Sequence, residues 1–326
     1  FTGVGNFAGT GNAINNTING NGGADTLSGA GGNDTIVGGL DTDSIDGGAG
    51  NDTILYTVGD GADAMIDGGA DDDTLVATGT AGNNTLAVVV SGGVVTRFAG
   101  NADNIQNVET ISVDLGANAA GGDTLTYNGT TEAVTVSLEA GLAPGLTFIT
   151  NVENLQGGSG DDRIWGRGGD DIIDGGDGND AIMGESGFDL PQGWDAVTTG
   201  NDTINGGAGN DVVIGGLGDD FLNGGDGDDR LINGIASSEA SGSVAFYGDQ
   251  PYDPGADTLD GGAGQDHAYL LYFWKTDAVS FVFAGAQAVS TVLVGGVAQG
   301  SIVNVESFNL QGGSGNDHLD AFGAAF

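Results

Sequence analysis

Aspartate recurs along this sequence at a spacing of nine residues, in a setting rich in glycine. In the stretch 206–232, Asp211, Asp220 and Asp229 each follow a glycine-rich segment and precede an apolar residue by two positions. Carboxylates supply hard oxygen ligands, which are the ligands that Ca²⁺ takes in proteins. The spacing therefore indicates metal chemistry performed by carboxylates.

The charge balance of the chain agrees with this interpretation. Its 326 residues include 46 Asp and Glu but only 5 Lys and Arg, so the formal net charge is -41. Nucleic-acid binding requires a basic surface, which five cations do not provide, and an anionic membrane surface repels such a chain. No apolar run reaches the roughly 18 residues of a membrane span. We expect calcium as the partner, and neither nucleic acid nor a membrane span.

A nine-residue motif, Gly-Gly-x-Gly-x-Asp-x-U-x with U apolar, accounts for the spacing. Imperfect copies fill 11–46, 68–76, 166–174 and 254–269, and Asn16 stands at one Asp position. Several copies abut in register, which chance matches do not explain. The complete copies begin at residues 47, 157, 175, 206, 215, 224 and 312.

This motif resembles the calcium-binding nonapeptide of the RTX (repeats-in-toxin) family. The resemblance implies that each nonapeptide forms a glycine-rich turn followed by a short strand, and that two nonapeptides complete one coil. The implied fold is all-β: parallel β-roll (β-helix) blocks with calcium in the turns, interrupted by calcium-free β insertions. The apolar residue at position 8 of each repeat, such as Ile36 or Leu222, then forms a stacked core.

Turns that are eighteen residues apart stack along one edge of such a roll. A Ca²⁺ between them takes two Asp carboxylates together with backbone carbonyl oxygens, and reaches the 6–8 oxygen ligands that it prefers. The predicted pairs are Asp25 with Asp43, Asp34 with Asp52, Asp162 with Asp180, Asp171 with Asp189, Asp202 with Asp220, and Asp211 with Asp229. The further predicted metal ligands are Asp73, Asp257, Asp266 and Asp317. We expect roughly ten calcium ions in all.

Two longer segments, 86–156 and 268–311, interrupt the repeat. Both alternate apolar and polar residues, as half-buried antiparallel strands do, and both end in an Asn-Val-Glu segment that leads into the next repeat. They either extend the roll as wider turns or form a small separate β-sandwich. The predicted organisation is a roll at 1–85, an insertion at 86–156, a roll at 157–267, an insertion at 268–311 and a terminal roll at 312–326.

The sequence contains no nucleophile elbow, P-loop, HExxH or dinucleotide-binding fingerprint, so we do not expect an enzyme in this segment. RTX resemblance implies type I secretion from a Gram-negative bacterium and an extracellular or cell-surface location. The favoured function is a calcium-folded structural or adhesive module. The alternatives are the folding and secretion module of a larger secreted enzyme, and a module that binds surface polysaccharide, another protein or a second copy through its insertions.

Overall fold

The computed structural model of the chain describes residues 4–61, 63–98, 105–116, 122–167, 170–184, 200–234, 236–238, 244–246, 256–272, 279–282, 289–311 and 318–320. Among these residues the secondary structure is β-strand and turn, without helix, as the repeat predicts. Accordingly, this described part of the chain has no helix long and apolar enough to cross a membrane. The chain forms two compact units, Phe1–Gln156 and Gly157–Phe326.

The strands of the first unit are short, and most of them are three to seven residues long. They are β1 (Ala8–Thr10), β2 (Thr17–Gly22), β3 (Thr26–Ser28), β4 (Thr35–Leu40), β5 (Ser44–Ala49), β6 (Thr53–Thr57), β7 (Met65–Ala70), β8 (Thr74–Thr78), β9 (Thr85–Ser91), β10 (Val94–Phe98), β11 (Ile105–Gln106), β12 (Thr110–Asp114), β13 (Thr124–Thr126), β14 (Thr135–Ser137), β15 (Phe148–Thr150) and β16 (Asn154–Gln156).

Consecutive repeats of this unit alternate between two parallel sheets. One sheet has the order β1-β3-β5-β7-β11, and the other has the order β15-β12-β8-β6-β4-β2. In the first coils, each residue pairs with the residue eighteen positions later, as Leu27 does with Ile45 and Ile18 with Ile36. Two nonapeptides therefore make one coil, and the parallel β-roll that the sequence predicted is confirmed.

The position-8 residues form the core between the sheets. Ile36, Ile45 and Ile54 are completely or almost completely buried, while the flanking strand residues point outward or are half-buried. Side chains alternate between the faces of a strand, so one apolar residue in each strand is enough to build a thin stacked core. β-Branched residues at these positions suit the pleated backbone.

The strands of 86–156 extend this roll rather than forming a separate sandwich. β9 and β10 make an antiparallel hairpin through Gly92 and Gly93, both at positive φ. However, β12 pairs in parallel with β8 and β15, and β13 pairs in parallel with β9 and β16. The antiparallel arrangement expected for these strands is therefore wrong for β12 and β13. Alternation of burial sets which side of a strand faces the core but does not set the direction of its neighbour.

The second unit repeats the same architecture. Its strands are β17 (Arg163–Trp165), β18 (Ile172–Asp177), β19 (Ala181–Met183), β20 (Thr203–Ala208), β21 (Val212–Ile214), β22 (Phe221–Asp226), β23 (Arg230–Ile232), β24 (Ala236–Ser238), β25 (Val244–Phe246), β26 (Asp257–Ala263), β27 (His267–Leu271), β28 (Val279–Val282), β29 (Ser290–Val294), β30 (Val297–Val303), β31 (Ser307–Gln311) and β32 (His318–Asp320).

Coil length varies within this unit, although the strand register is preserved. Ile204 pairs with Leu222 after eighteen residues, whereas Ile173 pairs with Ile204 across a longer connection. β22 and β26 likewise pair in parallel across another long connection. In 268–311, β28, β29 and β30 are antiparallel neighbours, while β30 also pairs in parallel with β26. The strands on either side of these longer connections therefore still stack in register.

Candidate calcium-binding sites

The repeat aspartates stack along the edges of the roll, where a turn leads into each strand. The Oδ1 atom of one Asp accepts a hydrogen bond from the backbone N–H of the Asp one coil earlier, as Asp52 does from Asp34 at 2.7 Å. We call such a row a ladder. The first ladder is Asp25, Asp43 and Asp63; the second is Asn16, Asp34, Asp52, Asp73 and Glu109; the third is Asp162, Asp180, Asp211, Asp229, Asp266 and Glu306; the fourth is Asp171, Asp202, Asp220 and Asp257.

The second carboxylate oxygen of most ladder aspartates is buried and accepts no hydrogen bond. Burial of an unpaired charged oxygen is costly, and a native site with many of them calls for an explanation such as a bound ion. Among the described residues, the Oδ2 atoms in this condition belong to Asp25, Asp34, Asp43, Asp52, Asp73, Asp180, Asp202, Asp211, Asp220, Asp229, Asp257 and Asp266. They recur in most of the repeats, and Asp162 and Asp171 are exceptions whose Oδ2 atoms accept hydrogen bonds.

A glycine and a carbonyl oxygen surround most of these unpaired oxygens in the same way. A methyl group added to Gly29 would overlap both the Oδ2 atom of Asp34 and the carbonyl oxygen of Gly47. The same relation holds at Gly206, for Asp211 and the carbonyl oxygen of Gly224. The glycine at position 1 of the repeat therefore leaves room for a carboxylate and a carbonyl oxygen from the next coil to converge. We call this arrangement the cradle.

Asn84 shows what the cradle holds when an amide replaces the carboxylate. Its Nδ2 donates to the carbonyl oxygens of Thr80, Gly82 and Leu115 at 3.2, 2.6 and 2.8 Å, and to Oδ1 of Asp123 at 3.0 Å. The backbone N–H of Asn84 also donates to Asp123, so Asn84 occupies a ladder position. Four oxygens thus converge on one positively polarised group. With Asp at this position, the same oxygens would surround a cation.

The chemistry of the cradle fits Ca²⁺. Its donors are carboxylate and backbone carbonyl oxygens, without the imidazole or thiolate ligands that favour zinc or copper. Within the described residues, no three side chains of His, Cys, Asp or Glu converge as a metal cluster. Backbone carbonyl oxygens must therefore complete each site, as the resemblance to RTX repeats implies. Ca²⁺ accepts such mixed oxygen sets in flexible geometry.

Five of the six predicted pairs are neighbours in a ladder. These are Asp25 with Asp43, Asp34 with Asp52, Asp162 with Asp180, Asp202 with Asp220 and Asp211 with Asp229, all joined by N–H to Oδ1 bonds of 2.7 to 3.0 Å. Asp73, Asp257 and Asp266 also lie in ladders. The geometry brings these residues together, and their binding of calcium remains a proposal.

The predicted pair of Asp171 with Asp189 stays a prediction, because Asp189 lies outside the described residues. Among the described residues, the backbone N–H of Asp171 donates to Asp202, which lies 31 residues later, at 2.9 Å. The ladder neighbour of Asp171 is therefore not the residue eighteen positions later that the repeat spacing predicts. Asp317 also lies outside the described residues.

The first members of the third and fourth ladders have additional bonds to their own turns. Oδ2 of Asp162 accepts from the backbone N–H of Gly158 at 2.9 Å. Oδ2 of Asp171 accepts from the backbone N–H of Arg167 at 2.7 Å, and the Arg167 guanidinium forms an ion pair with Oδ1 of Asp171 at 3.2 Å. These two carboxylates are therefore satisfied in part by their own turns, unlike the interior members.

The sequence did not identify Asp63, Glu109 and Glu306 of these ladders, nor the further short ladder of Asn84, Asp123 and Glu153. Asp63 precedes its core residue Ile66 by three positions instead of two, so an extra residue conceals the motif. Asp123 lies in 86–156, away from any complete repeat. Glu109 and Glu306 belong to the Asn-Val-Glu segments, and the recurrence of those segments is the signal that could have identified them.

Burial sets the electrostatics of the ladders. Loss of hydration raises the pKa of Asp180 and of Asp202 to about 8, and that of Asp211 to about 7. Hydrogen bonds from backbone N–H groups oppose this rise, and the negative charge of neighbouring carboxylates adds to it. The pKa of Asp257 is also raised well above its ordinary value by burial. Ionised ladders are therefore unfavourable in the folded chain unless a cation compensates them.

The metal-free chain is expected to gain stability as the pH falls. Because the pKa values of Asp180, Asp202 and Asp211 are higher in the folded chain than their ordinary value of 3.8, the unfolded chain releases their protons first. Stability is thus complete below about pH 4 and is lost as the pH rises to about 8. Thermal melts of chelator-treated protein, followed by circular dichroism at several pH values, measure this trend.

Calcium is expected to reverse the trend, since protons and calcium compete for the same oxygens. In saturating calcium, the melting temperature should rise between about pH 5 and about pH 8. A metal-free chain whose melting temperature also rises over this interval would contradict the assignment of raised pKa values to the ladders.

Comparison with known proteins agrees with the repeat. The model of the RTX calcium-binding nonapeptide repeat matches residues 10–45, 29–63, 153–191, 197–231, 253–269 and 309–324. No curated protein matches the chain significantly. Among solved structures, the extracellular lipase LipA from Serratia marcescens is similar at 16% identity, over 92% of this chain and 36% of the lipase.

The TM-score of that structural match is 0.19, so it carries no argument about the fold or the activity of this chain. The chain spans about a third of the length of the lipase. The fold assignment rests instead on the parallel pairing and the eighteen-residue register of the coils. Taken with the matched repeats, this architecture shows that the chain belongs to the RTX family of calcium-binding nonapeptide-repeat proteins.

Proposed function

We propose that this chain is a calcium-folded structural module of an extracellular or cell-surface protein. One observation carries the proposal: in repeat after repeat among the described residues, a carboxylate oxygen is buried without a hydrogen-bond partner, and most of these oxygens face a carbonyl oxygen across a glycine. Such a row of oxygens stabilises the fold only when divalent cations lie between the turns.

Calcium concentration then determines where the chain folds. Without calcium, a net charge of -41 and the buried carboxylates oppose compaction. About ten bound ions would reduce this charge to roughly -21, and their binding free energy becomes folding free energy. Cytosolic calcium is too low for sites of moderate affinity, so the chain stays extended inside the cell and folds outside. This order of events suits type I secretion from a Gram-negative bacterium, which exports unfolded chains.

A structural or adhesive role is the use that we favour. Within each unit, described strands of the insertions 86–156 and 268–311 continue the sheets of the roll, which supports a structural role for the insertions. Catalysis in this segment is not part of the proposal. The alternatives are a folding module for a secreted enzyme, which a catalytic domain in the same polypeptide would support, and a module that binds surface polysaccharide or a partner.

Replacing Asp211 and Asp229 with Asn is expected to weaken calcium binding while preserving the fold in saturating calcium. Asn is the suitable replacement because Asn84 shows its amide donating to the cradle oxygens. Isothermal titration calorimetry should show at least one calcium ion fewer. The calcium concentration at the folding midpoint should rise several-fold, since neighbouring sites in the ladder lose a shared ligand.

The matched control replaces Asp177 and Asp226 with Asn. These residues occupy position 3 of their repeats and are exposed, so the change removes the same charge from the same unit without touching a ladder. The control should bind as many ions as the unmodified chain. Equal losses in the two double variants would overturn the assignment of calcium to the ladders.

A further inference from the structure

The Asn-Val-Glu segments at 107–109, 151–153 and 304–306 adopt one common turn. Their asparagines have φ values of 50°, 54° and 51°, in the left-handed region that Asn tolerates better than most residues. Each Asn side chain donates to the carboxylate of an Asp on the preceding coil, as Asn304 Nδ2 does to Asp260 Oδ1 at 2.8 Å. The bonds of Asn107 to Asp67 and of Asn151 to Asp114 repeat this contact.

The glutamate of this turn takes the place of a ladder aspartate. Oε2 of Glu109 accepts from the backbone N–H of Asp73, and Oε2 of Glu306 accepts from that of Asp266, both at 2.8 Å. In an ordinary coil, an Asp Oδ1 makes this bond. Glu109 and Glu306 are exposed, whereas the ladder aspartates are buried. The glutamate side chain, which is longer than that of aspartate, therefore reaches the ladder from a more exposed turn.

The carboxylate before each of these glutamates is buried and unpaired. Asp73 and Asp266 are 1% and 0% exposed, and their Oδ2 atoms have no hydrogen-bond partner among the described residues. A methyl group added to Gly68 would overlap both Asp73 Oδ2 and the carbonyl oxygen of Asn107. The asparagine carbonyl thus stands where a glycine carbonyl stands in interior cradles such as those at Gly29 and Gly206.

The same arrangement recurs in the second unit. A methyl group added to Gly261 would meet Asp266 Oδ2 and the carbonyl oxygen of Asn304. The left-handed conformation of the asparagine accompanies this orientation of its carbonyl, and its side-chain bond to the preceding coil holds it there. Among the described residues, the second and third ladders therefore end with the same three oxygen-bearing groups: an Asp carboxylate, an Asn backbone carbonyl and a Glu carboxylate.

We propose that two of these Asn-Val-Glu turns each complete a terminal calcium site. The turn 107–109 does so at the end of the second ladder, and the turn 304–306 at the end of the third. One site uses Asp73, the carbonyl oxygen of Asn107 and Glu109; the other uses Asp266, the carbonyl oxygen of Asn304 and Glu306. This inference rests on the proposed calcium-binding function. Because each glutamate is exposed, water reaches these sites more easily than the interior cradles, and their ions exchange faster and bind more weakly.

Glu109→Gln and Glu306→Gln test the proposal, one in each unit. Glutamine keeps the oxygen that accepts the Asp73 or Asp266 N–H bond but removes the charge that the cation requires. Native mass spectrometry at saturating calcium should show one ion fewer in each single variant and two fewer in the double variant. Stopped-flow transfer of calcium to a fluorescent chelator should show that the fastest phase is lost.

Glu132→Gln is the matched control in the first unit. Glu132 accepts bonds from the backbone of Gly92 and Gly93 in a hairpin turn and belongs to no ladder. The control should keep every ion and the fast phase. If the unmodified chain binds calcium but the Glu109 and Glu306 variants bind the same number of ions, the terminal sites do not exist and the interior sites stand. If the unmodified chain binds no calcium, the proposed function itself fails.

Folding of the variants is checked by circular dichroism in saturating calcium. Since the interior cradles are unchanged, both variants should reach the spectrum of the unmodified chain. A glutamine variant that stays unfolded under these conditions would count against the proposal, because it would assign to the glutamate a structural role that its charge alone does not explain.

Discussion

In excess chelator at neutral to mildly alkaline pH, the chain is expected to give the circular dichroism spectrum of an unfolded polypeptide. Addition of calcium should restore the β-sheet signal in a cooperative transition within each unit. The physical reason is the row of buried carboxylates, for which Asp180 and Asp202 have pKa values raised to about 8 by burial. Each site held at 100-fold excess over its dissociation constant contributes about 2.7 kcal/mol to stability.

Cooperativity follows from the ladders, because each interior Asp accepts a hydrogen bond from the coil before it and donates one to the coil after it. An ion at one site therefore fixes the ligands of its neighbours, as in other quasi-one-dimensional folds. Magnesium at equal concentration is the control, since its demand for octahedral geometry suits these sites poorly. A folded spectrum in chelator at pH 8 would refute calcium-coupled folding.

Gly209→Ala is expected to prevent folding of the second unit even in saturating calcium. Gly209 has a φ of 135°, and a Cβ at this position would overlap the backbone carbonyl of Gly178 on the preceding coil. The neighbouring coils are hydrogen-bonded to one another, so this backbone cannot move aside without breaking the stack. The change combines left-handed strain with a backbone clash, and its cost should exceed the marginal stability of a domain, about 5–15 kcal/mol.

Gly296→Ala separates these two costs. Gly296 also has positive φ, at 83°, but an added Cβ would meet nothing within 4 Å. Only the conformational penalty of about 1–2 kcal/mol remains. Calcium titrations of both variants, followed by circular dichroism, should show a moderate shift for Gly296→Ala and no folding transition in the second unit for Gly209→Ala. Equal shifts of the calcium titration midpoint in the two variants would mean that the coils around Gly209 are not packed as closely as described.

The repeat alone was enough to predict the roll, its core and most of its ladders. Position 8 fixes the buried residue, so Ile36 and Leu222 could be assigned to the core without a structure. Position 6 holds the carboxylate of the turn, so Asp34 and Asp52, which are one coil apart, could be predicted to lie next to each other. These predictions depend on local periodicity, which a sequence displays directly.

What the sequence could not reveal was the path of the chain between coils. Asp171 bonds to Asp202, 31 residues later, because stacking is set by which strands complete the sheet, and not by the number of intervening residues. The parallel direction of β12 and β13 escaped prediction for a related reason, since their partners lie on distant coils. The ladder role of Glu109 was concealed because a longer side chain reaches the same point from a different turn.

Asn84 has an evolutionary consequence. Asparagine and aspartate codons differ by one base, and here the two residues lead to alternative ways of satisfying the same four oxygens. A single transition in the gene can therefore exchange an ion for an amide without redesigning the surrounding backbone. The calcium requirement of such a protein can therefore change one coil at a time, without a change in its architecture.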